Sequence, residues 1–199
     1  MSTAPALDPA HTALLVMDCQ PAILAHLPED GTREALLSRV EGAIAGVRAG
    51  DGTVAYVRVG FTDADWDAVP ATNKSFAPVA RHRLLHHEDP AVAVHERLTP
   101  QEGDITVRKI RHGGLSTTDL HQRLRERGIN TLVLAGISTG GAVLSTVVDA
   151  ADRDYRLYVL SDGVADPDPD VHDMLLRRVF PARAHIIDTA RLHTLLRGD

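Results

Sequence analysis

Short apolar runs alternate along this sequence with longer stretches whose apolar residues recur at helical spacing. Residues 13–18 form the first apolar run, which is nearly continuous, as expected of a strand covered on both faces of a parallel sheet. Residues 33–48 follow with one apolar stripe of helical period, and Gly50 lies just past their end. Because every connection is long enough for a crossover, this alternation predicts a parallel sheet with helices on both faces.

The same criteria predict further strands and helices down the chain. The strands are predicted at residues 54–59, 105–109, 131–135, 157–160 and 184–187. The helices are predicted from a Thr118 cap to a Gly128 stop, at 140–153, at 169–179 and after the last strand. Since no repeat or interdomain linker interrupts the pattern, we predict a single α/β domain over residues 1–199, with three α/β/α layers and a six-stranded parallel sheet.

Composition and charge exclude several classes of partner. The 199 residues carry a net charge of -6 and no Lys/Arg-rich run, so we expect neither nucleic acid nor a membrane surface as a partner. No apolar run approaches the roughly 18 residues of a membrane span, and no N-terminal pattern resembles a secretion signal. The one cysteine, Cys19, excludes an internal disulfide and a cysteine-based zinc cage. We therefore expect a cytoplasmic protein that acts on a small molecule.

Residues 61–103 break the alternation, because they contain no confident strand. This segment holds Trp66 and two of the three phenylalanines, Phe61 and Phe76. Loops of this length in compact domains are usually functional lids or a sign of a missed element. A short helix is predicted at about residues 76–85. Two interpretations stay open, a lid-like insertion over the active-site end and a surface excursion that only serves packing.

Three features at strand ends could carry chemistry. Asp18 ends the first strand, Lys109 ends the third, and a glycine-rich turn at residues 136–142 ends the fourth. In an open parallel sheet, ligands bind beyond the carboxyl ends of the strands. Each feature alone has an ordinary structural explanation, such as a loop cap, an exposed lysine or a tight turn. Together they predict a site at one end of the sheet.

The blocks around these residues resemble the isochorismatase-like, or cysteine hydrolase, superfamily. Asp18-Cys19-Gln20 is similar to the end of its opening strand, Val107-Arg108-Lys109 to its lysine strand, and residues 132–150 to its nucleophile block. The resemblance covers nearly the whole chain in the right order. It implies that Asp18 is the catalytic acid/base and Lys109 the catalytic lysine. We expect the strand order 3-2-1-4-5-6, with Asp18, Lys109 and Ala142 lining one pocket.

The resemblance also locates the nucleophile, and this chain lacks it. In the cysteine-bearing members the thiol lies six residues after the glycine that opens the turn, and counting from Gly136 gives Ala142. A methyl group cannot attack a carbonyl, so what remains is an acid/base pair and helix N–H groups that can hold an oxyanion. The resemblance further implies a cis Ile137–Ser138 peptide bond that aims the N–H groups of Ser138 and Ala142 into the pocket.

Further residues are candidates for binding substrate or for replacing the nucleophile. Gln20, Phe61 and Phe76, with Ser138 and Ala142, are expected to bind substrate.

Cys19 follows Asp18 directly and should point to the opposite face, which favours a buried structural role. The sequence places no histidine to activate the hydroxyls of Ser138 and Thr139, so we interpret both as capping residues.

No metal or other cofactor is expected. The nicotinamidase branch of the superfamily carries an Asp and two His after the second strand, and the ligand-like positions here are Asp65, Asp67 and Lys74. A lysine ammonium has no lone pair to donate, which argues against zinc or iron. The histidines cluster only at His86-His87 beside Glu88, for which a lid surface is favoured over metal binding.

The leading functional hypothesis is hydrolysis of a small, anionic metabolite without a covalent intermediate. The isochorismatases proper resemble this chain in keeping the Asp and Lys beside a small residue, and they cleave a vinyl ether by protonating carbon before water adds. Lys109 should lower the pKa of Asp18, so an acid role requires substrate binding or burial to raise it.

Two alternatives stay open: a binding protein that lost catalysis, and a cysteine amidase whose nucleophile was changed to Ala142. The unusual Gly140-Gly141 pair favours a naturally remodelled turn. The resemblance implies a homodimer or higher homo-oligomer, in which a neighbouring chain would bury Trp66 and Phe76.

Overall fold

The computed structural model describes residues 5–198, so that residues 1–4 and 199 of the predicted domain lie outside the described residues. All strands in this range belong to one parallel sheet of order β3-β2-β1-β4-β5-β6, which confirms the predicted order. The strands are β1 Thr12–Met17, β2 Thr53–Val59, β3 Ile105–Lys109, β4 Thr131–Ile137, β5 Arg156–Ala165 and β6 His185–Ile187.

Helices surround the sheet. The α-helices are α1 Pro21–Leu24, α2 Thr32–Ala49, α3 Asp63–Asp67, α4 Ala77–Arg81, α5 Leu120–Glu126, α6 Leu144–Asp152, α7 Pro169–Met174 and α8 Thr189–Arg197. Short 3₁₀ turns lie at Pro9–His11, Pro90–Val92, Glu96–Leu98 and Phe180–Ala182, and π-helical turns at Thr139–Val143 and Leu175–Val179. No helix within residues 5–198 is both long and apolar enough to cross a membrane.

Strand β1 lies at the centre of the core and is buried along its whole length. Because side chains alternate along a strand, Leu14 and Val16 pack on one face with α2 and α8, whereas Leu15 and Met17 pack on the other with α5 and α6. Burial on both faces explains the nearly continuous apolar run in the sequence.

The structure extends or shortens several predicted elements. Strand β4 runs two residues further than predicted, and β5 continues to Ala165 after a register shift opposite Leu134 and Gly136. Gly136 has a φ of 119°, and a Cβ there would overlap the Met17 carbonyl oxygen, so only glycine allows β4 to pass this close to β1. The predicted helix at 140–153 is divided into a π-helical turn and α6.

Residues 61–103 fold into short helices and turns that enclose their own apolar cluster. The cluster contains Val59, Phe61, Trp66 and Phe76, and the two residues expected to need a neighbouring chain, Trp66 and Phe76, are only 6% and 7% exposed. The expectation that a neighbouring chain buries these two rings is wrong, because this chain buries both of them itself. The predicted short helix is present as α4, shorter than expected.

Candidate active site

Asp18 and Lys109 form a buried ion pair at the carboxyl edge of the sheet. The Lys109 Nζ atom lies 2.7 Å from Asp18 Oδ2 and donates a second hydrogen bond, of 3.1 Å, to the Arg111 carbonyl oxygen. Asp18 directly follows β1 with a φ of 51°, and its backbone N–H donates to the Val57 carbonyl oxygen at 2.8 Å. Asp18 Oδ1 is buried and has no hydrogen-bond partner among the described residues. This oxygen is therefore free to hold or move a proton.

Burial raises the pKa of the Asp18 carboxyl above its usual range, although the charge and hydrogen bond of Lys109 act in the opposite direction. Lys109 thus acts on this pKa in the direction expected from the sequence, and the structure supplies the burial that an acid role requires. Loss of water around the carboxylate outweighs the attraction of one ammonium group. A carboxyl group in this environment can serve as an acid at a higher pH than an exposed aspartate.

A cavity of about 260 Å³ opens in front of the ion pair. Asp18, Lys109, Ser138 and Ala142 all contribute to its wall, so that the structure brings the predicted catalytic residues together. Most of the remaining lining is apolar, from Ile23, Val59, Phe76, Leu85, Ile137 and Pro167. A small apolar chamber with a few convergent polar groups suits a small molecule.

The turn after β4 forms part of the cavity wall. Its Ile137–Ser138 peptide bond is cis, as the resemblance implied. A Cβ on Gly141 would lie 2.7 Å from Ser138 Oγ, and a Cβ on Gly140 would lie 2.9 Å from Val171 Cγ1. A side chain at either position would have to displace one of these atoms, so both glycines fit the close packing of the turn. Ala142, at the end of this segment, is 3% exposed.

Two of the expected substrate-binding residues lie outside the cavity wall. The Gln20 side chain is buried and donates through Nε2 to the Val59 and Val92 carbonyl oxygens, while its Oε1 accepts from Val59 N–H at 2.9 Å. Gln20 therefore links β2 to the 61–103 segment through its side-chain hydrogen bonds. Phe61 is fully buried and contacts Phe76, with ring centroids 6.0 Å apart, so that it supports Phe76 from behind.

Of the candidate replacement nucleophiles, Ser138 lines the cavity, whereas Cys19 and Thr139 do not. Cys19 is buried in the apolar cluster on the α2 side of the sheet, and burial raises the pKa of its thiol to about 12. Thr139 is fully buried, and its Oγ1 lies 2.9 Å from His172 Nδ1. The expectation that no histidine lies beside these hydroxyls is wrong for Thr139, because the fold brings His172 next to it. The contact fixes the turn but does not expose the hydroxyl.

Sequence reasoning missed two histidines that line the cavity, His26 after α1 and His112 after β3. The His112 ring packs on Phe76, with centroids 4.7 Å apart. Partial burial, and then the charge of Lys109, lower the pKa of His112 below its usual value. Its position three residues after Lys109 was the available signal, because loops that follow parallel strands face the ligand site.

The residues at the nicotinamidase-like metal positions do not fit a metal. Asp65 Oδ2 accepts hydrogen bonds from Thr62 and lies 2.6 Å from Arg108 Nη1, whereas Asp67 Oδ1 lies 3.0 Å from Arg83 Nη2. Lys74 offers no lone pair. Elsewhere in residues 5–198, potential ligand atoms converge at His86, His87 and Glu88, all within 4.8 Å of one another.

Comparison with known proteins reveals similarity along nearly the whole chain. The Isochorismatase domain family profile matches residues 12–191. A ureidoacrylate amidohydrolase from Methylobacterium radiotolerans is 32% identical over 211 aligned residues, which cover 96% of this chain and 81% of that protein.

Solved structures share the fold. The structure of a cysteine hydrolase from Pseudomonas syringae pv. phaseolicola superposes with a TM-score of 0.86 at 24% identity, over 100% of this chain and 99% of the other. An N-carbamoylsarcosine amidase from Thermoplasma acidophilum superposes with a TM-score of 0.72 at 26% identity, over 89% of this chain and 96% of the other.

Proposed function

The chain belongs to the isochorismatase family, and we propose that it hydrolyses a small anionic metabolite by Asp18/Lys109 acid–base chemistry, with water in place of a cysteine nucleophile. One observation carries this proposal. Asp18 lines a cavity whose nucleophile position presents only a methyl group, and its carboxyl group pairs through Oδ2 with a buried lysine while Oδ1 has no hydrogen-bond partner among the described residues.

The substrate class we propose is an enol ether that carries a carboxylate. Such a bond needs no nucleophilic side chain, because protonation of the terminal carbon creates an oxocarbenium ion that water can attack. Asp18 supplies that proton, since its raised pKa keeps the carboxyl protonated to higher pH than usual. Lys109 contributes a positive charge near the anionic substrate and stabilises Asp18 when it becomes a carboxylate.

The size and polarity of the cavity support a compact substrate. A volume of about 260 Å³ with mostly apolar lining admits a molecule of a few carbons and excludes much of the bulk water. Exclusion of water strengthens the interaction of the Lys109 charge with a carboxylate. Segment 61–103 contributes Phe76 and Leu85 to this lining, and we propose that it acts as a lid over the site.

An assay with 2-alkoxyacrylates tests this proposal. Hydrolysis of 2-methoxyacrylate and its ethoxy and propoxy homologues releases pyruvate, which lactate dehydrogenase reports through NADH oxidation. We expect pyruvate release by the wild-type chain, a strong loss in Lys109→Ala, and wild-type rates in Asp173→Asn, a change at an exposed ion pair on α7. Absence of pyruvate release across the series would exclude enol ethers as the substrate class.

A second candidate is an amidohydrolase, which the names of two similar proteins favour. Those names specify a ureidoacrylate and an N-carbamoyl compound, and hydrolysis of either breaks a carbon–nitrogen bond. Release of ammonia from ureidoacrylate by the wild-type chain, without pyruvate from any 2-alkoxyacrylate, would favour this candidate. Saturable binding of both compounds without turnover would instead favour a binding protein.

A further inference from the structure

We propose that His112 is the general base that accepts a proton from the attacking water, an inference that rests on the proposed function. A chain without a nucleophilic side chain must activate water directly. Asp18 becomes a carboxylate once it has delivered its proton, but this carboxylate is paired with Lys109, and a separate acceptor in the same cavity can take the proton of the attacking water. His112 suits this role through its position, its free ring nitrogens and its support.

His112 lies beside the turn that carries the nucleophile position, which Ala142 occupies. Its Nδ1 atom lies 3.7 Å from the point that a Cβ on Gly141 would occupy, and Ser138 Oγ lies 2.7 Å from the same point. His112 thus reaches the turn that carries Ala142, and both residues line the cavity with Asp18. Glycine at 141 and alanine at 142 place no bulky side chain beside the imidazole.

Both ring nitrogens of His112 lack a hydrogen bond or ion pair to any residue in the range 5–198. The ring is nevertheless held in place, because it packs on Phe76, whose own ring lies 5.4 Å from the Arg111 guanidinium carbon. The other cavity histidine differs, since His26 Nδ1 already contacts the Ile23 carbonyl oxygen at 3.2 Å. Of the two cavity histidines, His112 is the one for which neither ring nitrogen has a hydrogen-bond partner within residues 5–198.

The charges around His112 favour its neutral form. The cation of Lys109 faces it from β3 and lowers its pKa together with partial burial, while Arg111 lies in the same loop. Asp18 and His26 face the shared cavity, and Asp149 of α6 lines the neighbouring depression that also contacts His112. A neutral imidazole has a lone pair and can accept a proton at neutral pH.

The proposed cycle is balanced in protons and bonds. Asp18 gives its proton to the terminal carbon of the enol ether, and the ether oxygen shares the resulting positive charge. Water then forms a bond to the central carbon while His112 takes its proton, which leaves a neutral hemiketal. The hemiketal hydroxyl returns a proton to Asp18, the carbon–oxygen bond of the leaving group breaks, and protonated His112 gives its proton to the departing oxygen. Pyruvate and an alcohol result, and both side chains regain their starting forms.

Variants of His112 test this role with 2-methoxyacrylate as substrate. We expect His112→Gln to lower kcat by about a hundredfold or more, with a smaller change in KM, and to remove the decrease in rate at acidic pH. In His112→Gly, added imidazole should restore turnover in a saturable way. His82→Gln, at an exposed position after α4, serves as the matched control and should retain the wild-type rate.

The results for these variants distinguish a failure of the proposed role of His112 from a failure of the proposed function. Full activity in His112→Gln, or a His112→Gly variant that is inactive and folded yet unaffected by imidazole, would overturn the role of His112. If the wild-type chain hydrolyses 2-methoxyacrylate and Asp18→Asn does not, the proposed function stands in either case. Thermal unfolding of each variant identifies a loss that is due to misfolding.

Discussion

Lys109 Nζ lies 2.7 Å from Asp18 Oδ2, and both side chains are almost completely buried, with 3% and 8% of their surfaces exposed. Two opposite charges removed from water stabilise each other, but loss of either one leaves the other buried and unpaired. The pair brings together the ends of β1 and β3, which are separated in the sheet by β2. This contact places the acid and the cation on one wall of the cavity.

The pH dependence of turnover should follow Asp18. Since burial raises the pKa of this carboxyl, the protonated form persists to higher pH than in an exposed aspartate. An acid role therefore predicts that kcat/KM decreases as pH increases through the raised pKa of Asp18. A pH–rate profile with 2-methoxyacrylate measures this limb. An increase in rate over the same range would instead indicate that Asp18 acts as a base.

Turnover should not depend on a thiol or on a bound metal. Cys19 is buried, and the pKa of its thiol is raised to about 12, so very little reactive thiolate forms at neutral pH. We expect less than a twofold change in rate, of the order of the assay scatter, after treatment with iodoacetamide or EDTA. The same treatments on Cys19→Ala provide the control. Complete inhibition by the chelator would contradict the assignment of the site.

Introduction of the missing nucleophile should change the reaction. Ala142→Cys places a thiol in the cavity wall at the π-helical turn that leads into α6, where N-terminal backbone dipoles favour a thiolate. The sulfur fills space that the hydrolytic water needs, so we expect enol-ether hydrolysis to decrease about tenfold or more. Weak cleavage of p-nitrophenyl acetate should appear.

Ala142→Ser is the matched control for this substitution, because it fills similar space without a thiol. Mass spectrometry should detect an acyl adduct on residue 142 of the cysteine variant only. An unchanged rate of enol-ether hydrolysis in Ala142→Cys would contradict a role for this space in the reaction.

The sheet could be predicted from the sequence because its signal is local. The alternation of apolar runs predicted the position of every strand. Asp18 and Lys109 could be identified as site residues because they lie at the ends of predicted strands. The 137–138 cis bond and the position of Ala142 came from the resemblance. The burial of the ion pair between Asp18 and Lys109 could not be predicted from the sequence, because it depends on how segment 61–103 packs over β2.

Contacts between distant segments were the main source of error. Thr139 and His172 meet across 33 positions of the chain, and Gln20 reaches Val92 across 72. No periodicity in the sequence encodes such pairs. His112 was missed for a related reason, because the direction of a side chain in the loop after β3 depends on its contact with Phe76.

We predict that the chain forms a homodimer or higher homo-oligomer in solution. This prediction rests on the family resemblance alone, since Trp66 and Phe76 are buried within the chain. Light scattering coupled to size exclusion at micromolar concentration should give at least twice the 21.5 kDa mass of one chain. A mass equal to one chain across this concentration range would contradict the prediction.

The most direct test of the account is the turnover of Asp18→Asn. Asparagine keeps the shape of the side chain but cannot deliver the proton, so kcat/KM for 2-methoxyacrylate should decrease by about a hundredfold or more. Thermal unfolding and circular dichroism should establish that the variant is folded, and Asp173→Asn at the exposed α7 ion pair should retain the wild-type rate. A folded Asp18→Asn variant that hydrolyses 2-methoxyacrylate as fast as the wild-type chain would contradict the assignment of Asp18 as the acid.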